Sequence, residues 1–385
     1  MRKMPEVMLV AGEASGDLHA ANLVKALREL CPQVRCYGMG AGAMRATGVE
    51  ILVDSSTLAV VGLVEVLAHY REIKVALSTL QAVIKTRKPD LLILVDYPDF
   101  NLRLAATAKW AGVKVLYYVS PQVWAWRPGR VKKIGGAVDM MAVVFAFEVP
   151  FYEKAGVPVR FVGHPLVDEA KPSMTHAQAL GRFALASNGK VIGLFPGSRR
   201  SEIKRLMPVI AQTAKLLRTR FPRAQFVLPV APGLDRKLIE TYLDDTAPPV
   251  TLVEEANIYD VIQVCDAIIT KSGTATLQIA LMATPMVIIY KVSGLSYWIA
   301  RRLVTVEQIG LANIVAGKRV AKEFIQDEAR PQAIAAEIEC LITNEEYADT
   351  LRRDMTGIRA ALGEGGGSRK VARLVTDMLM LDETV

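Results

Sequence analysis

Twice along this chain of 385 residues, short and nearly unbroken apolar runs alternate with longer amphipathic ones. A strand with one wet face alternates apolar with polar residues. Unbroken apolar strands are buried on both sides, as in a parallel sheet sandwiched by helices. The first series predicts a strand opening at Val7, a helix over Asp17 to Leu30, extended chain over Val34 to Tyr37, and a helix over Leu63 to Arg87. A strand over Leu91 to Val95, a helix over Leu102 to Ala111 and a strand over Val113 to Val119 follow. The second series begins near Lys190 with "KVIGLF" extended, Ser201 to Arg220 helical, then "QFVLPV", "VTLVE" and "DAIIT" extended. A helix over Gly273 to Met282 and the strand "PMVIIY" close it. The polar, proline-bearing segment Val162 to Ala179 is read as the linker. The expected organisation is therefore α/β: two open parallel-sheet domains, residues 1–165 and 166–345, facing across a cleft, then a helical tail over 346–385. The tail, broken by "GEGGGS", is expected to fold back on the first domain or to reach a partner subunit as a homodimer contact.

A net charge of +8 suits an anionic partner: nucleic acid, an acidic membrane surface or a phosphorylated small molecule. No Lys/Arg block is interleaved with aromatics and no zinc-finger, RRM or KH pattern occurs, which argues against nucleic acid. Cys31, Cys36, Cys265 and Cys340 form no C-x-x-C pair, and the four histidines lack metal-ligand spacing; reduced thiols in a cytoplasmic protein and no bound metal are expected. No apolar span approaches the ~20 residues of a transmembrane helix, so the protein is expected to be soluble or peripheral. Leu58 to Leu80 carries an apolar sector wider than one buried stripe needs. It reads either as a core helix or as a lipid-touching face rimmed by Arg71 and Lys74. "SYWIARRLV", Ser296 to Val304, sets Tyr297 and Trp298 beside Arg301 and Arg302, an interfacial pairing.

Ligands of open α/β sheets gather at the carboxyl ends of strands. There, the opening turn Gly12-Glu13-Ala14-Ser15-Gly16-Asp17 is neither G-x-G-x-x-G nor a P-loop, and it puts an acid where phosphate usually goes. Glu13 either supports the helix start or binds a sugar hydroxyl. Asp96 in "LVDYPDFN" closes an apolar strand, where burial raises a carboxyl pKa and a substrate hydroxyl can approach, so it is a candidate general base. The alternative is a turn residue satisfied by backbone N–H groups. Asp99 is predicted to cap the next helix. "VSPQVWAWR" adds two tryptophans and an arginine after the next strand. A nicotinamide cofactor needs an acid ending the second strand, where Cys36, Tyr37 and Gly38 stand instead; no cofactor is expected.

In the second half, the turn Pro196-Gly197-Ser198-Arg199 feeds a helix beginning near Ser201, and amide N–H groups with a guanidinium favour anionic oxygens. Ser272, Gly273 and Thr274 open a second helix, with Gln278 one turn along. Two such turns suggest a nucleotide diphosphate. Neither has a Walker lysine at the expected spacing, and no D-x-D pair is present to hold a divalent ion.

Taken together, "AGEASGDLHAANL", "AVVGLVEVL", "DYPDFNLRL", "YYVSPQVWAWRPGRVKKI", "GHPLVD", "PGSRRSEI", "KSGTATLQIALMATPMVIIYKVSGLSYWIARRLV" and "ANIVAGKRVAKEFIQ" resemble, in order and along most of the chain, the lipid-A-disaccharide synthases. That resemblance implies a GT-B glycosyltransferase with two Rossmann-like domains. It would move 2,3-diacylglucosamine from UDP to the 6-hydroxyl of 2,3-diacylglucosamine 1-phosphate with inversion. It further implies Asp96 as base, with Glu13, Arg199 and Asn313 as site residues. The Ser272-Gly273-Thr274 turn would face the diphosphate beside Gly197 and Ser198. Gln278 falls where such enzymes commonly have a ribose-holding glutamate; an amide can bond ribose hydroxyls but brings no charge. The same resemblance implies a place on the anionic inner face of the inner membrane. Another GT-B enzyme acting on non-acylated UDP-N-acetylglucosamine, or a non-catalytic sugar-nucleotide or lipid binder, are the competing readings.

Overall fold

The computed structural model describes residues 4–57, 70–121, 131–243, 247–292 and 308–380. Most of Leu58 to Leu80, the tryptophans of "VWAWR" and the "SYWIARRLV" stretch lie outside these residues. The chain divides into two compact units, one of residues 1–165 with 362–385, the other of residues 166–361.

The first unit is built on strands β1 (Glu6–Ala11), β2 (Arg35–Gly40), β3 (Glu50–Asp54), β4 (Leu91–Val95), β5 (Lys114–Tyr118), β6 (Met140–Val143) and β7 (Val159–Phe161). Their order is β3-β2-β1-β4-β5-β6-β7 with every pair parallel. All five residues of β4 are buried, as its unbroken "LLILV" requires of a strand covered on both faces. The order reverses between β1 and β4, which opens a crevice at their carboxyl ends.

The second unit repeats the plan with β8 (Val191–Phe195), β9 (Gln225–Pro229), β10 (Val250–Val253), β11 (Ala267–Lys271), β12 (Met286–Tyr290) and β13 (Lys322–Ile325), ordered β10-β9-β8-β11-β12-β13. Again all pairs are parallel, and the reversal falls between β8 and β11. In each unit the first and fourth strands of the series flank the reversal.

The last helix, Gly367–Met380, returns to the first unit and packs on the helix Ala14–Leu30. It buries Val371, Ala372 and Val375, while Arg369 pairs with Glu29 at the exposed rim (2.7 Å). The segment read as a linker is ordered chain: the Asp260 carboxylate holds the Ser173 hydroxyl and amide, and Thr175 caps the helix His176–Arg182. In the described part of the wide apolar stretch, Ala76 and Leu80 belong to the core, as does Ile84 just beyond it, and Val75 is 63% exposed. Among the described residues no helix is long and apolar enough to cross a membrane.

Candidate active site

At the first reversal, β1 delivers Gly12 and Glu13, and β4 delivers Asp96 and Tyr97. The helix Ala14–Leu30 starts at once, with Glu13 in the N-cap position but making no side-chain capping bond. Its carboxylate is therefore not consumed in starting the helix. The acid that does structural work in this turn is Asp17, buried, whose carboxylate accepts the amides of Ala41, Ala43 and Met44 (2.7, 2.8 and 3.2 Å). Those are the first amides of the short helix Gly42–Ala46, so Asp17 satisfies donors that the helix itself cannot.

Asp96 and Tyr97 both adopt left-handed backbone, with φ of 48° and 46°, a conformation costing roughly 1 kcal/mol or more in each non-glycine residue. Two donors hold the turn in place: the Tyr117 hydroxyl (2.6 Å) and the Asn101 amide (2.7 Å) both donate to the Asp96 carbonyl. Tyr97, not Asp99, is the N-cap of the helix Pro98–Trp110, and Asp99 sits in its first turn. Asp99 thus adds charge at the positive helix end instead of capping it. The pinned turn leaves the Asp96 side chain half-buried near Glu13. Burial, with the Glu13 carboxylate second, pushes the Asp96 carboxyl up to about 6. Two acids sharing one crevice resist double ionisation, so one is tuned toward accepting a proton near neutrality. Tyr97 closes the floor by lying against Gly12, where a β-carbon would fall 2.3 Å from its ring.

The second reversal carries the opposite chemistry. Beyond β8, Gly197 (φ 112°) turns the chain into the helix Arg200–Arg220. The amides of Ser198 and Arg199 point at an anion, but that anion is internal: the Glu202 carboxylate accepts both (3.0 and 3.3 Å). The expected phosphate turn is thus already bonded to a carboxylate from its own helix. Lys271, ending β11, reaches the other Glu202 oxygen at 3.0 Å, and Arg199 stands 4.0 Å from it. Lys271 closes "AIITK", so the strand-end signal that singles out Asp96 applies to it as well, although no motif marks it.

Next along, the Ser272 hydroxyl donates to the Ile309 carbonyl (2.8 Å), and Thr274 is the N-cap of the helix Ala275–Leu281. That helix has only seven residues, so its dipole alone is a small attraction for phosphate. Gln278 is half-buried beside the Tyr259 hydroxyl.

Asn313 lies on the helix Leu311–Ala316. It is fully buried, its amide donating to the Ala321 carbonyl (2.8 Å) and Glu323 (2.7 Å), its oxygen accepting the amides of Val320 and Ala321 (2.8 and 2.9 Å). Glu323 in turn accepts the amides of Ile309 and Gly310. Asn313 therefore acts on the Ser272 turn through a chain of bonds, with no donor or acceptor left for a sugar. Asn313→Ala is expected to cost about 2–4 kcal/mol of unfolding free energy, because it strands three buried backbone groups. Urea unfolding measures this; a loss below about 1 kcal/mol contradicts a bracing role for Asn313.

A family model described as lipid-A-disaccharide synthetase matches residues 7–373. The lipid-A-disaccharide synthase of Geobacter metallireducens is 57% identical over 97% of this chain and 97% of its own length. That of Coxiella burnetii is 43% identical over 97% of this chain and 98% of its own. Among solved structures, UDP-GlcNAc 2-epimerase from Neisseria meningitidis bound to UDP-GlcNAc has a TM-score of 0.68 at 15% identity, covering 97% of this chain and all of that one. A glycosyltransferase from Rickettsia africae gives 0.61 at 11% identity over the whole of both chains. At such identities these two likenesses speak to the fold alone.

Proposed function

This chain belongs to the lipid-A-disaccharide synthase family, glycosyltransferases with two Rossmann-like domains, and from that premise we propose the reaction it carries out. The donor is UDP-2,3-diacylglucosamine and the acceptor is 2,3-diacylglucosamine 1-phosphate. Asp96 takes the proton of the acceptor 6-hydroxyl while that oxygen attacks the anomeric carbon of the donor. The bond from that carbon to the diphosphate breaks, its electron pair leaving with UDP, and the configuration inverts. Glu13 holds acceptor hydroxyls and keeps Asp96 from ionising too early. In the second unit the 197–199 and 272–274 turns, with Arg199, hold the leaving diphosphate, and Gln278 lies toward the ribose. Asn313 keeps its place in the donor half as a support.

The observation that carries this reading is the Asp96 carboxyl at the first reversal: pinned by its backbone, half-buried and pushed to about 6. A base ionised at cytoplasmic pH yet basic enough to take a proton needs such a value. The test is incubation with both diacylated substrates, following UDP and a disaccharide 1-phosphate. Absence of product from competent substrates rejects the proposal. UDP release from non-acylated UDP-N-acetylglucosamine instead would move the chain to another GT-B activity, and UDP binding without turnover to a non-catalytic role.

Acylated substrates live at a bilayer, so the working place is the inner face of the inner membrane, reached from the cytoplasm. The net charge of +8 supports attraction to anionic lipid. The protein is expected to pellet with anionic liposomes at low salt and to be released as salt rises, while neutral liposomes leave it in solution. Equal recovery with both lipid types contradicts the charge-driven part.

A further inference from the structure

Resting on the donor half of that reading, we propose that Lys271 grips the donor diphosphate and that Glu202 is the internal anion which the diphosphate displaces. Glu202 has 14% of its side chain exposed and is gripped from four directions. Two loop amides hold one oxygen, and Lys271 and Arg199 face the other. Amides and cations converging on paired oxygens are what a phosphate group takes. Gly197 makes the arrangement possible, since a β-carbon there would fall 2.2 Å from the Glu202 oxygen.

Lys271 joins the two turns. Its Nζ lies 3.0 Å from Glu202, on the β8 side of the reversal, and 3.2 Å from where a β-carbon on Gly273 would sit, on the β11 side. With 24% of its side chain exposed, it is held in place yet open to an entering anion. Two cations face a single carboxylate, so the cluster carries a net positive charge. A diphosphate brings more charge and more acceptor oxygens than a carboxylate to the same donors. Glu202 then swings off Lys271 while remaining on its own helix. When UDP departs, the carboxylate returns to the amides, so the empty site is never left with unpaired donors. The lysine thereby meets the charge that develops on the leaving group, a task for which no D-x-D motif supplies a metal in this chain.

A lysine that merely latches two loops predicts a different outcome from one that binds phosphate, and calorimetric titration with UDP and with uridine separates them. Lys271→Met is expected to weaken UDP about tenfold and to leave uridine unchanged. Lys271→Arg should keep most of the UDP affinity, and Glu202→Gln, which removes the competing charge, should bind UDP at least as tightly as the wild type. Undiminished UDP binding by Lys271→Met overturns the proposal, as does parallel loss of UDP and uridine, the mark of a broken latch. Weaker UDP binding by Glu202→Gln, in a variant that melts like the wild type, overturns the displacement. Failure of the wild type itself to bind UDP would strike the donor-site reading, whatever Lys271 does.

Discussion

Asp96→Asn is expected to lower turnover by about 10²-fold or more and, at the same time, to stabilise the protein above pH 7. Asparagine keeps the shape and cannot take the proton, so the loss falls on kcat with substrate binding little changed. The stability effect follows from the carboxyl being pushed up to about 6, chiefly by burial. A carboxyl raised above its unfolded value holds its proton more tightly in the native state. Its favourable contribution is complete below about pH 4 and is lost as pH rises through about 6. Above that, the native state carries a half-buried charge that the unfolded chain solvates, at a cost of up to about 3 kcal/mol. The asparagine variant escapes that cost, so its gain over the wild type should appear between pH 4 and pH 6 and stay level beyond. The wild-type kcat/KM should fall on the acid side with a midpoint near pH 6, and the variant's residual rate should lack that limb. Urea unfolding across pH and a pH–rate profile check both halves. A variant with undiminished turnover removes Asp96 from the mechanism; one less stable at pH 8 contradicts the burial argument.

How much of this site can be read from residues alone depends on whether the signal is local. The sheets are legible because an apolar run such as "LLILV", too short for a buried helix, suits a strand covered on both faces, and each strand's end marks where a ligand side chain can stand. Asp96 is legible for that reason. The backbone that aims it is not: Tyr117 meets its carbonyl across the sheet from β5, where Asn101 joins it from the helix Pro98–Trp110. Glu202 shows the opposite limit. Its place three residues into a helix start marks it as a capping acid, which is the role it fills, but the sequence leaves unsaid that capping also occupies the amides read as a phosphate site. Asn313 marks a third limit, since a resemblance carries a residue to its position without saying which way the side chain faces. Inward, its four bonds make it a brace.

Gly12→Ala is expected to lower kcat steeply. The added β-carbon would lie 2.3 to 2.7 Å from three atoms of the Tyr97 ring, inside any tolerated contact. Gly12 follows β1 directly and has little room to move, so the ring must give way. Tyr97 is joined to Asp96 by one peptide bond within a left-handed pair, and its neighbour's carbonyl is fixed by Tyr117 and Asn101. Displacing the ring therefore twists the Asp96 side chain from its aim. A shift of about 1 Å at a catalytic group costs on the order of 10²-fold in rate, and a loss of that size is expected in kcat. The chain of cause passes through the ring, so trimming the ring should undo it. Tyr97→Ala in the Gly12→Ala background is expected to recover at least tenfold of the lost rate, although Tyr97→Ala alone slows the enzyme. Additive losses in the double variant would mean that Gly12 matters for another reason, such as room for the acceptor itself.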